Sequence, residues 1–329
     1  MAKSQIDLEL RPATLADAEL VADLETARNP DDPRDPVMQR FWWTADSAAE
    51  VRTRLVAEVD GLAIAYLMAR HAEWKDGVRH FGWIRAVVHP KHWTRSLHEQ
   101  LIEHVESWLR SEGGEISVAT VGVKLEHEVR VFEALGYKEV RRGREWELDL
   151  VGNRDRLLAG AEVSRKRMAE QSLRMHTLDN DTDPDRLSKL YEVWYAAEHD
   201  VPTTVPTQAV PYDEWYRWWL ENPGIRADRL WIARDGDRIV GMSAIEYPPV
   251  RGMPWTAFTG TSPSARGRGI ARALKYETVA QAIALGAERI RTHNDGENAP
   301  ILHLNAEMGY VPIDPVLELH RELHRELGA

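Results

Sequence analysis

Arg266, Gly267, Arg268 and Gly269 stand directly before "IARALKYETVAQAIALG", a run with the spacing of a long amphipathic helix. Glycine at a helix start lets the backbone come close to a ligand, and the first-turn amides, which have no intrahelical acceptors, point outward at the positive end of the helix dipole. Such a turn suits an anion such as a pyrophosphate, and Arg266 and Arg268 add two cations for charge-assisted contacts. Arginine-glycine pairs also occur in loops without a ligand and in RNA-binding tails. The spacing is neither GxGxxG nor GxxxxGKS, which sets aside dinucleotide and P-loop sites. The chain contains no cysteine, so disulfides, thiolate metal sites and cysteinyl intermediates are excluded. An acyl transfer would have to pass directly from donor to acceptor, or through a hydroxyl.

A strand must lead into this loop and a helix must leave it. "WTAFTGTSP" reads as the strand, and Gly286 ends the helix. Upstream, "DRLSKLYEVWYAAEHD" and "YDEWYRWWLENP" carry helical spacing, and "RLWIARDGDRIVGMSAIEYPP" reads as two strands joined at Asp235-Gly236. Downstream, "AERIRTHN" reads as a strand, "NAPILHLNAEMG" as a helix with proline near its start and glycine at its end, and "YVPIDPVLELHREL" as closing strands. The expected class is mixed α/β.

The first half repeats this order. Pro90 matches Pro263 and Gly136-Tyr137 matches Gly309-Tyr310, at one shift of 173 positions (263 less 90, and 309 less 136). A duplication follows, with domains expected at 1–150 and 175–329 and a charged helical connector at 151–174. At the same shift Arg266, Gly267, Arg268 and Gly269 become Trp93, Thr94, Arg95 and Ser96, and Ala271 becomes His98. Asn294, Asn298 and Asn305 become Val121, Leu125 and Phe132. The first copy keeps the scaffold and loses the glycines and amides.

The 329 residues exceed the usual size of one core, which agrees with two domains. Fifty-three acidic against 42 basic residues give a net charge of -11, unfavourable for a phosphate backbone as partner, so nucleic acid is not expected. No stretch is long and apolar enough for a membrane span, and "MAKSQIDLEL" lacks the apolar core of a signal peptide; a cytoplasmic protein is expected. His320 and His324 are helix-spaced but lack a third ligand, so no metal is expected. Tyr212, Trp215 and Trp219 share a helical face and read as a buried packing stripe, while Trp218, Tyr195 and His199 are candidates to wall an acceptor pocket.

The loop resembles that of the GCN5-related N-acetyltransferase (GNAT) superfamily, whose acyl-CoA loop follows Arg/Gln-x-x-Gly-x-Gly/Ala, here Arg266, Gly269 and Ala271. "THNDGENAPILHLNAEMGY" is similar to a family variant with asparagines at these spacings. The resemblance covers the second half fully and the first as scaffold, so the chain is similar in layout to the tandem mycothiol synthase group. It implies two tandem domains, each a mixed, mostly antiparallel sheet flanked by helices. It also implies acetyl-CoA as donor, bound by Arg266, Gly267, Arg268, Gly269, Ile270 and Ala271, with the thioester arm along Thr259, Gly260 and Thr261 and against Asn294 and Asn298.

The expected activity is N-acetyl transfer to a small amine by direct attack in the second domain. Many relatives place a proton-donating tyrosine where this chain has Asn305, which hydrogen-bonds a leaving thiolate without supplying a proton in the same way. The strand acid of the mycothiol synthase group is here Thr256, so Glu246 and His293 are the candidates to accept the amine proton through water. The alternatives are a CoA-sensing or scaffold module, or a transferase taking its acyl group from a carrier protein or an aminoacyl-tRNA. The oligomeric state is not legible.

Overall fold

The computed structural model describes residues 8–47, 49–75, 77–199, 203–205, 209–294 and 298–323. The first half runs β1 (Glu9–Pro12), α1 (Ala18–Arg28), α2 (Pro36–Thr44), β2 (Glu50–Val59), β3 (Leu62–Ala72), β4 (Phe81–Val88), α3 (Arg95–Ser111), β5 (Ile116–Gly122), α4 (Glu126–Ala134) and β6 (Lys138–Asp149). The second runs α5 (Arg154–Glu170), β7 (Arg174–Thr177), α6 (Arg186–Glu198), α7 (Tyr212–Leu220), β8 (Leu230–Asp235), β9 (Arg238–Glu246), β10 (Trp255–Thr261), α8 (Ile270–Ala284), β11 (Arg289–Asn294), α9 (Ala299–Met308), β12 (Val311–Pro312) and β13 (Val316–Glu322).

Local chemistry accounts for most of these elements. Asp60 and Gly61, at φ 52° and 74°, turn β2 into β3 in the left-handed region that tight hairpins use. Leu97, Leu101, Ile102, Val105 and Leu109 recur at helical spacing and bury one face of α3. In the second half, β9 is buried along nearly its whole length, with α6 and α7 packing Trp194, Trp215 and Trp219 onto β8 and β9. Tyr276, Val279 and Ile283 of α8 gather with α5, β6, β11 and α9 in a separate cluster.

The chain forms two compact units that do not follow chain order: residues 1–143 with 314–329, and residues 144–313. The division falls within β6. Its residues 138–143 pair with β13, and its residues 144–149 pair with β11. The first unit's sheet is β1-β2-β3-β4-β5-β13-β6, antiparallel except for β4 with β5. The second is β7-β8-β9-β10-β11-β6, antiparallel except for β10 with β11, with β12 also on β6.

The 173-residue shift maps 144–149 onto 317–322, so the two copies have exchanged their closing strands. A boundary at 150 follows the repeat, whereas the compact units follow strand pairing. Duplicated sheets present equivalent edges, and either closing strand satisfies either edge. The segment read as a connector is α5, which buries Leu157, Ala161 and Met168 in the cores of the second unit. Among the described residues no helix is long and apolar enough to cross a membrane.

Candidate active site

Gly269 is the N-cap of α8 and sits at φ 82°, ψ 14°, and Gly267 sits at φ 77°. Both conformations are strained for any side chain, which is why the loop is written in glycine. The first helical bond runs from Ala273 N to Gly269 O at 3.0 Å, so the amides of Ile270, Ala271 and Arg272 precede the hydrogen-bonded ladder. No side chain caps this end. Arg268 Nη1 donates to Asp235 Oδ2 at 2.6 Å, and its Nε to Gln171 Oε1 at 3.2 Å, so its guanidinium braces the loop against the β8–β9 turn. Arg266 Nε donates to Thr261 O at 3.4 Å.

The loop lies at the end of an opening in the sheet. β10 and β11 run parallel but are in register only at Trp255 and Arg291. Past that pair, Thr259, Gly260 and Thr261 stay bonded to β9, while Thr292, His293 and Asn294 stay bonded to β6. The two facing edges therefore diverge, helped by a register shift in β10 between Thr256 and Phe258. Among the described residues no backbone pairing crosses the gap past Trp255 and Arg291, which suits the edges to an extended ligand arm. A Cβ on Gly260 would come within 2.8 Å of Ala197 Cβ and 2.5 Å of the Phe258 ring, so glycine is required there. Thr259 shares a 2.8 Å hydrogen bond with Ser243, whereas Thr261 Oγ1 is buried without a partner.

The corresponding helix start in the first unit is closed. Thr94 is the N-cap of α3, and its Oγ1 accepts from Leu97 N at 3.2 Å. His98 is completely buried, against the Ala86 carbonyl and edge-on to Phe132. Burial pushes its pKa below the ordinary value. A hydroxyl takes up one first-turn amide, and a buried imidazole stands at the position of Ala271.

Behind the opening lies a buried polar group of side chains. Lys275 is 1% exposed and Asn305 0%. Lys275 Nζ donates to Asn305 Oδ1, and Asn305 Nδ2 donates to Asn294 Oδ1 at 2.6 Å. The ammonium also lies 4.6 Å over the Tyr310 ring, and burial lowers its pKa to about 7. The Tyr310 and Thr256 hydroxyls are both buried, and neither has a hydrogen-bond partner among the described residues. Burial raises the phenol pKa well above its ordinary value. Asn305 and Asn294 are thus brought together, whereas Asn298 is the N-cap of α9 and makes no side-chain cap. Lys275 belongs to no motif in the sequence. Its signal was one lysine within the apolar face of α8, where the first copy has Ile102.

Glu246 ends β9 opposite Trp255, and its Oε2 accepts from Asn222 Nδ2 at 3.0 Å. Asn222 is itself buried and fixed by Gly224 N, so it orients the carboxylate. His293 Nδ1 lies 4.0 Å from Glu145 Oε1 on the exposed side of β11. Trp215 and Trp219 are core residues, whereas Tyr212 is exposed. Tyr191, Glu192, Tyr195, Val210 and Pro211 line an open cavity of about 400 Å³ between α6 and the segment before α7. Tyr195 packs on His199, with ring centres 4.1 Å apart. His320 lies on strand β13, 2.7 Å from Glu318, and His324 is outside the described residues. Among the described residues no cluster of three or more possible metal ligands occurs.

The model of the family described as Acetyltransferase (GNAT) matches twice, at residues 18–137 and 188–310. Among solved structures, a tandem GNAT protein from the clavulanic acid biosynthesis pathway, without AcCoA, has a TM-score of 0.71 at 17% identity, covering 96% of this chain and 98% of its own. A GCN5-related N-acetyltransferase from Sphaerobacter thermophilus has a TM-score of 0.62 at 19% identity, covering 96% and 95%. At these identities the likeness is one of fold. No curated protein sequence is similar enough to this chain to be matched.

Proposed function

The chain belongs to the acetyltransferase (GNAT) family, and on that premise we propose that its second unit transfers the acetyl group of acetyl-CoA to the amine of a small-molecule acceptor. The observation that carries this reading is the contrast between two corresponding helix starts. Gly269 leaves the amides of α8 uncapped, whereas Thr94 caps α3 with its own hydroxyl.

The amides of Ile270, Ala271 and Arg272, with the dipole of α8, suit the pyrophosphate, and Arg266 supplies a nearby cation. The unpaired edge of β10 from Thr259 to Thr261 receives the thioester arm, and one of its amides polarises the carbonyl. An amine of pKa about 10 is about one part in a thousand neutral at pH 7, so a proton acceptor near it raises the rate. That role falls to Glu246, held by Asn222 at the end of β9, or to His293, beside Glu145 on β11. Asn294 supplies a carboxamide donor on the side of the departing sulfur, with Asn305 behind it donating to Asn294 Oδ1. Tyr191, Tyr195 and Val210 offer the acceptor an apolar wall.

The complete burial of Asn305, at the position where an acid group would otherwise stand, favours a second reading in which the unit binds coenzyme A without turnover. Calorimetry with coenzyme A and thiol release from acetyl-CoA over an amine panel separate the two. Turnover that is lost in Gly269→Arg and kept in Ser96→Arg supports the first reading; tight binding without thiol release on any amine supports the second. Absence of both would overturn the site itself.

A further inference from the structure

Lys275 is closed to water, and burial lowers its proton affinity. A buried cation without a counter-charge is costly, so its retention calls for a reason. The first unit shows that the fold does not supply it. At the 173-residue shift, Lys275, Asn305 and Asn294 correspond to Ile102, Phe132 and Val121, all buried in that unit's hydrophobic core. The three polar side chains occur together in the unit with the open helix start, and in the other unit all three places are apolar.

The order of the three groups dictates their direction. An ammonium donates and cannot accept. Asn305 must therefore turn its carbonyl toward Lys275 and its amide away, and that amide donates to Asn294 Oδ1. Asn294, accepting on its carbonyl, must turn its own amide elsewhere. It ends β11 and is partly exposed, where β11 has diverged from β10.

We propose that Lys275 is a positioning residue, which through Asn305 fixes Asn294 so that Asn294 Nδ2 donates into the opening between β10 and β11, to a carbonyl or sulfur acceptor on the thioester arm of acyl-CoA. The proposal rests on the acyl-CoA reading of the site. Deprotonation of Lys275 gives its nitrogen a lone pair and releases the direction of the whole chain. The groups facing Lys275 are Asn305 on α9 and Tyr310 after it. The charged neighbours on α8 are closed elsewhere, Arg272 on Glu307 of α9 and Glu277 on Arg165 of α5.

Side-chain amide resonances of Asn294 and Asn305, followed across neutral pH in the full chain, test the coupling. Both are expected to shift with one shared midpoint, and Lys275→Met removes the step. Asn294→Asp keeps the acceptor for Asn305, removes the outward donor, and guards against a Lys275 variant that fails to fold. Its Kd for acetyl-CoA is expected to rise about tenfold, while that for 3′-phosphoadenosine diphosphate, which has the pyrophosphate and no arm, stays unchanged. Equal acetyl-CoA affinity in wild type and Asn294→Asp, or amide resonances that do not titrate together, overturns the proposal. Failure of the wild type to bind either probe overturns the acyl-CoA reading instead.

Discussion

Arg268 Nη1 lies 2.6 Å from Asp235 Oδ2, so one of the two arginines of the glycine loop is tied to the hairpin between β8 and β9. The contact holds the Asp235 carboxyl below its ordinary range, Arg268 being the largest cause. Arg268→Ala is therefore expected to loosen the loop more than it removes a ligand contact. Amide exchange at residues 266–270 accelerates, and the Kd for coenzyme A rises by less than about tenfold. A loss of several orders of magnitude in calorimetry would instead make Arg268 a direct phosphate ligand.

Gly269 admits no side chain without strain, because its φ of 82° lies in the left-handed region and a Cβ would stand 3.4 Å from Arg167 Cζ. Gly269→Val is expected to destabilise the second unit by about 1–3 kcal/mol and to abolish coenzyme A binding. Ser96→Val, at the matching place in the first unit, is expected to leave the affinity unchanged. Thermal unfolding and calorimetry on both variants check this pair.

Lys275 gives stability a pH dependence of defined sign. Its folded pKa is about 7 against an ordinary 10.5, so below pH 7 both folded and unfolded states hold the proton and the cost of burial is fully present. Between these values the unfolded state binds more protons, and stability rises with pH. The wild type is expected to gain on Lys275→Met by up to about 1.4 kcal/mol per pH unit above neutrality, measured by urea unfolding. Parallel curves for the two proteins would contradict the assignment.

Glu246 is oriented by the buried Asn222, and His293 lies 4.0 Å from Glu145. Glu246→Gln is therefore expected to slow acyl transfer on the order of a hundredfold, while Asn222→Leu produces part of the same loss. Steady-state rates with an amine acceptor decide it. A variant within threefold of wild type, beside a severe loss in His293→Gln, would move the role to the histidine.

Much of the second unit was legible because its elements depend on neighbours a few positions apart. The period of "ALKYETVAQAIA", the turn at Asp235-Gly236 and the glycines before α8 each act locally, and the structure has the helix, hairpin and left-handed N-cap there. The duplication was legible from one constant shift, and it singled out the open loop by contrast with Thr94 and Ser96. The partners of buried polar groups were not legible. Lys275 meets Asn305 across 30 positions, Arg268 meets Asp235 across 33 and Gln171 across 97, and periodicity carries no information at such separations.

The sequence by itself determined the family layout, the repeat and the place of the glycine loop, since these rest on residue types and short spacings. Tertiary structure alone decided that β13 closes the first unit and the second half of β6 the other, because duplicated edges accept either strand and chain order cannot choose between them. It also decided which way Asn305 and Asn294 face. That direction follows from a lysine that can only donate, buried where the chain brings α8, α9 and β11 together.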